Sequence, residues 1–143
     1  MLIAVIDGQG GGIGRAIVEK IKKELPECRV LALGTNSAAT GQMLKAGADD
    51  GATGENAIIR NTSRADIICG VVAILNANAM LGELTPKMAE AIGSSPAYKI
   101  LLPLNRCHIH VVSVEEMSLN QHIDNMISEI KKFSKRSDLN TCK

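Results

Sequence analysis

The chain has 143 residues, with 16 Lys and Arg against 15 Asp and Glu, and 45% of its residues are hydrophobic. That length suits one domain with one core, and that apolar content excludes wholesale disorder. A formal charge of +1 without a basic block, and only Tyr98 and Phe133 as aromatics, leave neither an electrostatic footprint nor a stacking platform for nucleic acid.

Charged or polar residues interrupt every apolar run before it reaches membrane-spanning length, so no membrane partner is expected. The apolar stretch Leu2 to Ile6 has no basic flank and runs into Asp7 and a glycine series, unlike an export signal. Cys28, Cys69, Cys107 and Cys142 are far apart, with no Cys-x-x-Cys pair. These features together predict a cytoplasmic protein.

In chain order, short apolar runs alternate with helical patterns, which predicts an α/β domain with a mainly parallel sheet. Leu2 to Ile6 is the first strand, apolar throughout as a buried central strand should be. Ile13, Ile17, Ile21 and Leu25 then form a helix stripe, with Glu19–Lys23 and Lys20–Glu24 outside it and Pro26 as its stop. Arg29 to Leu33 is the second strand. Asn36 caps a helix running to about Ala46, with Ala39, Met43 and Ala46 inward.

Gly47 to Asn56 has room for one very short strand, and Ala57 to Arg64 reads as a weak helix. Asp66 to about Ile74 is the next strand, although Val71 to Leu81 fits either a strand continuation or a helix. Thr85-Pro86 starts another helix with a capping side chain and a first-turn proline. Tyr98 to Leu102, ended by Pro103, and His108 to Val112 are further strands. Ser118 and Gln121 make a capping box for a last helix that turns Leu119, Ile123, Met126, Ile127, Ile130 and Phe133 inward. The whole predicts a single three-layer Rossmann-like domain over residues 1–134, and a frayed, disordered polar tail at 135–143.

The segment with most chemical content is Asp7-Gly8-Gln9-Gly10-Gly11-Gly12-Ile13-Gly14, between the first strand and the first helix. Glycine there lets the backbone approach a ligand, and the helix N-terminus behind it offers unpaired N–H groups to a phosphate. The spacing Gly8-x-x-x-Gly12-Ile13-Gly14 resembles the turn of short-chain dehydrogenases, a variant of the dinucleotide fingerprint. No Gly-Lys-Ser/Thr follows, so it is not a P-loop. The plainer reading is a tight turn whose glycines serve helix packing alone.

Two dehydrogenase parts are missing. Gly34-Thr35-Asn36 occupies the end of the second strand, where an acidic residue usually holds the ribose. Tyr98 and Lys99 are adjacent strand residues and point to opposite faces, so they make no catalytic pair. Gly8, Gln9, Gly10, Gly11, Gly12, Ile13 and Gly14 are thus the candidate phosphate-binding residues, with Thr35 or Asn36 toward the ribose or a 2′-phosphate. NAD or NADP is the leading cofactor candidate.

Loops after parallel strands gather on one edge. That edge is expected to collect the glycine turn, Gly34 to Asn36, Asp49 to Asn56, Asn76, Asn78, Glu83 and Asn105-Arg106. Asp49, Asp50 and Glu55 have the oxygen ligands Mg²⁺ prefers, but a solvated acidic loop explains them more simply. His108 and His110 would share one face of a strand and could reach a metal, yet a solvated polar face is the more ordinary outcome. No metal site is assigned. Asp7 stabilises the turn in this reading, while Cys28 and Cys69 belong to the core.

The runs IAVIDGQGGGIG, ALGTN, MLKAGADDGATGENAI, MLGELTPKMAEAI and KILLPLNRC resemble an uncharacterised family of small bacterial proteins, a domain of unknown function found chiefly in anaerobic Gram-positive bacteria. The resemblance spans about Met1 to Val114. It implies a stand-alone cytoplasmic Rossmann-like protein with no assigned reaction, and it carries over no catalytic residues. The sequence therefore predicts binding of a small phosphorylated ligand or nucleotide, with a homodimer plausible. A non-catalytic interaction or regulatory protein, or a Mg-dependent enzyme on a phosphorylated metabolite, are the alternatives.

Overall fold

A computed structural model describes residues 1–104 and 108–141. Five parallel strands form one sheet in the order β3-β2-β1-β4-β5. They are β1 (Leu2–Asp7), β2 (Arg29–Gly34), β3 (Asp50–Thr53), β4 (Ile67–Val71) and β5 (Tyr98–Leu102). Between and after them run α1 (Gly12–Glu24), α2 (Ser37–Lys45), α3 (Glu55–Thr62), α4 (Pro86–Ser94) and α5 (Leu119–Thr141). Helix α1 packs against α2 and α5, whereas α3 packs against α4. The two sets cover opposite faces of the sheet, giving the three-layer Rossmann-like α/β architecture.

The sheet centre is built from residues that pack well on a pleated surface. Ile3, Ala4, Val5 and Ile6 of β1 and Ile67, Ile68 and Cys69 of β4 are at most 1% exposed. Burial on both faces is why these strands read as unbroken apolar runs. Ile17 and Ile21 of α1 and Met43 of α2 close one face, and Ile58 and Ile92 of α3 and α4 close the other. Ile123, Met126, Ile127 and Ile130 seat α5 on the α1 side.

Several helix ends follow from single residues. Asn36 Oδ1 accepts the Ala39 N–H at 2.9 Å and starts α2. Thr85 Oγ1 accepts the Met88 N–H at 3.2 Å ahead of Pro86 and starts α4. Ser118 and Gln121 exchange backbone-to-side-chain bonds at 3.0 and 3.2 Å, completing the capping box of α5. Lys20 pairs with Glu24 as its spacing predicts, while Glu19 pairs with Arg15 one turn before it.

Four expectations are corrected. Strand β4 stops at Val71 and gives way to a 3₁₀ turn at Val72–Leu75, so the chain leaves the sheet earlier than its apolar run suggested. Residues 108–112 form no strand; His108 has φ 55°, and the apolar Val111 and Val112 face solvent. Helix α3 begins at Glu55, two residues before the predicted start, with Gly54 as its cap. Helix α5 continues to Thr141, so the helix extends through the segment expected to fray.

Candidate functional site

The strand order reverses between β1 and β4, since β2 and β3 lie on one side of β1 and β4 and β5 on the other. Open α/β sheets form a crevice at such a point, beyond the C-terminal ends of the strands. Here a cavity of about 490 Å³ opens there. Its floor is Asp7, Gly8, Gln9 and Ile13 from the β1–α1 turn and Val71 from β4. Its wall is the loop after β4, through Asn76, Asn78, Ala79, Met80 and Leu81, with His108 alongside.

Backbone strain gathers at this cavity. Of the six non-glycine residues with positive φ among the described residues, five line it: Gln9, Asn78, Met80, Leu81 and His108. A left-handed conformation costs an ordinary side chain about 1–2 kcal/mol, and such residues concentrate at ligand sites and switch regions. Leu81 is also 99% exposed, so neither its conformation nor its apolar surface is repaid by packing within the chain.

The glycine turn divides into two kinds of position. Gly8, Gly11 and Gly14 are demanded by the protein itself. A Cβ on Gly8 would lie 2.6 Å from both Met80 Sδ and Thr35 Oγ1. One on Gly11 would lie 2.7 Å from Ala39 Cα, at a φ of 76°. One on Gly14 would meet Asp7 and Met43 at under 3 Å. Gly10 and Gly12 have open space at the Cβ position and lie on a depression of about 250 Å³ that follows the turn from Asp7 to Ile13.

Asp7 orders the turn. Its Oδ1 accepts the Gly8 N–H at 2.8 Å and its Oδ2 the Gly14 N–H at 2.6 Å. The side chain thereby ties the end of β1 to the third residue of α1 and spends its charge on the start of the helix. Gly12 and Ile13, the first two residues of α1, have no intrahelical acceptor for their N–H groups.

Glu83 supplies a carboxylate that the second strand lacks. It comes from the loop between β4 and α4, yet its Oε1 accepts the Gln9 N–H at 2.9 Å, Thr35 Oγ1 at 2.8 Å and Asn36 Nδ2 at 2.6 Å. The Gln9 N–H, joined by Thr35 and Asn36, holds the Glu83 carboxyl below the usual carboxylate range despite its partial burial. Asn36 Nδ2 also donates to the Gln9 carbonyl at 3.0 Å. The end of β2, the glycine turn and the post-β4 loop are thus joined through one oxygen.

The structure brings Gly8 to Gly14, Asn76, Asn78 and Glu83 to one edge, with Thr35 and Asn36 bound to Glu83 instead of lining the cavity. Asp49 and Asp50 are elsewhere. They stand at the opposite, N-terminal end of β3, where Asp49 bonds Lys22 and the Val30 N–H and Asp50 bonds Arg29. Glu55 accepts from Thr85 Oγ1. The magnesium alternative loses its carboxylate cluster, and among the described residues no three His, Cys, Asp or Glu side chains group to hold a metal. Asn105, Arg106, Cys107 and Cys142 lie outside the described residues.

Sequence reasoning placed Glu83 at this edge without its role, it read His108 as one face of a strand with His110, and it missed Met80 and Leu81. The signal for Glu83 was the absence of an acid at Gly34-Thr35-Asn36. The signal for the loop was Asn78 and Gly82 bracketing three apolar residues in a stretch too irregular for a helix.

Residues 2–135 match the family described as Domain of unknown function (DUF3842). The chain belongs to that family. Neither the curated proteins nor the solved structures include a match to it. Among the described residues, no helix of this family member is long and apolar enough to cross a membrane.

Proposed function

We propose that this DUF3842 protein binds a small phosphorylated ligand of the nucleotide class in the crevice between β1 and β4, with NAD and NADP among the candidates. The observation that supports this most is the cavity at the strand-order reversal, around which five strained residues converge. In this reading the phosphate meets the N–H groups of Gly12 and Ile13, and Gly10 and Gly12 leave room for its approach. Asn76 and Asn78 offer amides, and Val71, Ala79, Met80 and Leu81 offer an apolar wall for a sugar or ring. No reaction is assigned.

The test is a dye-based thermal shift against NAD, NADP, ATP, GTP and sugar phosphates. Ligand at a hundred times its dissociation constant adds about 2.7 kcal/mol, several degrees in a domain of this size. The Gly12→Asp variant should fold, since its Cβ meets no neighbour and an acid suits the first turn of a helix. It should nevertheless lose the shift, because it sets a negative charge where the phosphate would lie. A shift that survives Gly12→Asp would remove the ligand from the turn.

The second reading is a non-catalytic interaction protein. It is favoured by the three glycines, Gly8, Gly11 and Gly14, whose presence close packing explains without a ligand. It leaves Gly10, Gly12 and the strained loop without a reason. Absence of any ligand shift would favour it.

A further inference from the structure

The loop after β4 closes part of the crevice that it walls. Its backbone is bonded to itself, with Asn78 N–H donating to the Leu84 carbonyl, Leu84 N–H to Ala79 and Gly82 N–H to Asn78. This folded loop crosses over the glycine turn. Met80 Sδ lies where a side chain on Gly8 would have to be, and Glu83 Oε1 is 3.3 Å from the same point. Beyond Gly8, Glu83 takes the hydrogen bonds of Gln9, Thr35 and Asn36. No residue from the end of β2 lines the 490 Å³ cavity.

A dinucleotide needs that end. With its pyrophosphate over the glycine turn, its adenosine ribose lies beyond the second strand, and a carboxylate there receives the ribose hydroxyls. In this protein the second strand carries no acid, and the carboxylate at its end, Glu83, comes from the loop with its Oε1 already taken by Gln9, Thr35 and Asn36. Glu83 is therefore placed against a second phosphate as well, since its charge faces the Gln9 N–H that a pyrophosphate would otherwise receive.

We infer that the loop from Asn76 to Leu84, latched by Glu83, shuts the β2 half of the crevice and restricts the ligand to one the size of a monophosphorylated sugar or mononucleotide. This rests on the proposed site and narrows its ligand. The open half keeps what such a ligand needs: the first-turn N–H groups of α1 for one phosphate, and an apolar wall with two asparagines for one sugar or ring. Glu83 sets the boundary through position and charge, and Met80 through bulk.

Calorimetric titration of the full chain with ribose 5-phosphate, AMP, nicotinamide mononucleotide, NAD and NADP tests it. At least one monophosphate should bind the wild-type chain tighter than either dinucleotide by about tenfold or more. Glu83→Ala, checked by circular dichroism for an intact fold, should narrow that gap by admitting NAD. Met80→Ala should do the same in part. NAD or NADP binding the wild type as tightly as the best monophosphate, and losing that binding in Gly12→Asp, would overturn the size restriction while leaving the site standing. Binding by none of the five would overturn both. The wild-type comparison needs no variant, so a Glu83→Ala chain that failed to fold would leave it decisive.

Discussion

Gly8, Gly11 and Gly14 are held to glycine by neighbours inside the protein, and Gly10 and Gly12 by none. This distinction makes a sharp mutational contrast. Gly14→Ala should destabilise the fold by about 1–3 kcal/mol, because its methyl group meets Asp7 and Met43 in a filled space. Gly10→Ala should change stability by no more than about 0.5 kcal/mol, as surface substitutions do. Urea denaturation of the two variants checks both. The spacing of the turn was legible in the sequence, because a strand, a glycine series and an amphipathic helix follow one another without interruption. Which glycines face outward was not, since that depends on Ala39, Met43 and Met80 arriving from distant segments.

Elements were legible where one residue sets their boundary. Asn36, Thr85 and Ser118 each accept a first-turn N–H, and each was identifiable as a polar residue ahead of a periodic apolar pattern. Thr85→Ala should lower stability by about 1 kcal/mol through the lost cap of α4, and it also removes the bond from Thr85 to Glu55 of α3. The measurement is the denaturation midpoint, with Thr85→Ser expected to recover most of the loss. Elements were illegible where composition and position disagree. Val111 and Val112 have β-branched side chains suited to a strand, but β5 already ends the sheet and no neighbouring strand pairs with them among the described residues. Val72 to Leu75 extends an apolar run beyond β4, yet its job is to turn the chain toward the loop that walls the crevice.

At the scale of the molecule, strand order decides what can act together, and periodicity does not encode it. Asp49 and Asp50 lie within a stretch rich in glycine and acids and read like a ligand-edge cluster, yet the register that pairs Leu31 with Asp50 places them at the far end of β3. There they act in the stability of the fold. The Val30 N–H holds the Asp49 carboxyl below its ordinary range, with Lys22 and Arg29 adding to the effect, and Glu83 is lowered at the other end of the sheet. A lowered folded pKa means that the unfolded chain takes up protons first as the pH falls. The stabilisation is therefore complete above the ordinary carboxylate pKa of about 4 and is lost as pH descends through the folded values. Thermal unfolding between neutral pH and pH of about 3 should show a falling midpoint, and Asp49→Asn should flatten the fall while lowering the midpoint at neutrality.

The stacked rings of Tyr98 and Phe133, with centroids 5.2 Å apart, join the edge strand to the last helix. They are also the chain's entire set of aromatic side chains, because it contains no tryptophan. Near-ultraviolet dichroism of this protein is accordingly a report from one address, the seam between β5 and α5, whereas far-ultraviolet dichroism averages over every helix. Melting curves recorded in the two bands separate the docking of the C-terminal helix from the folding of everything else. Coincident curves would make α5 part of one cooperative unit, and an earlier near-ultraviolet loss would mark it as the first piece to leave.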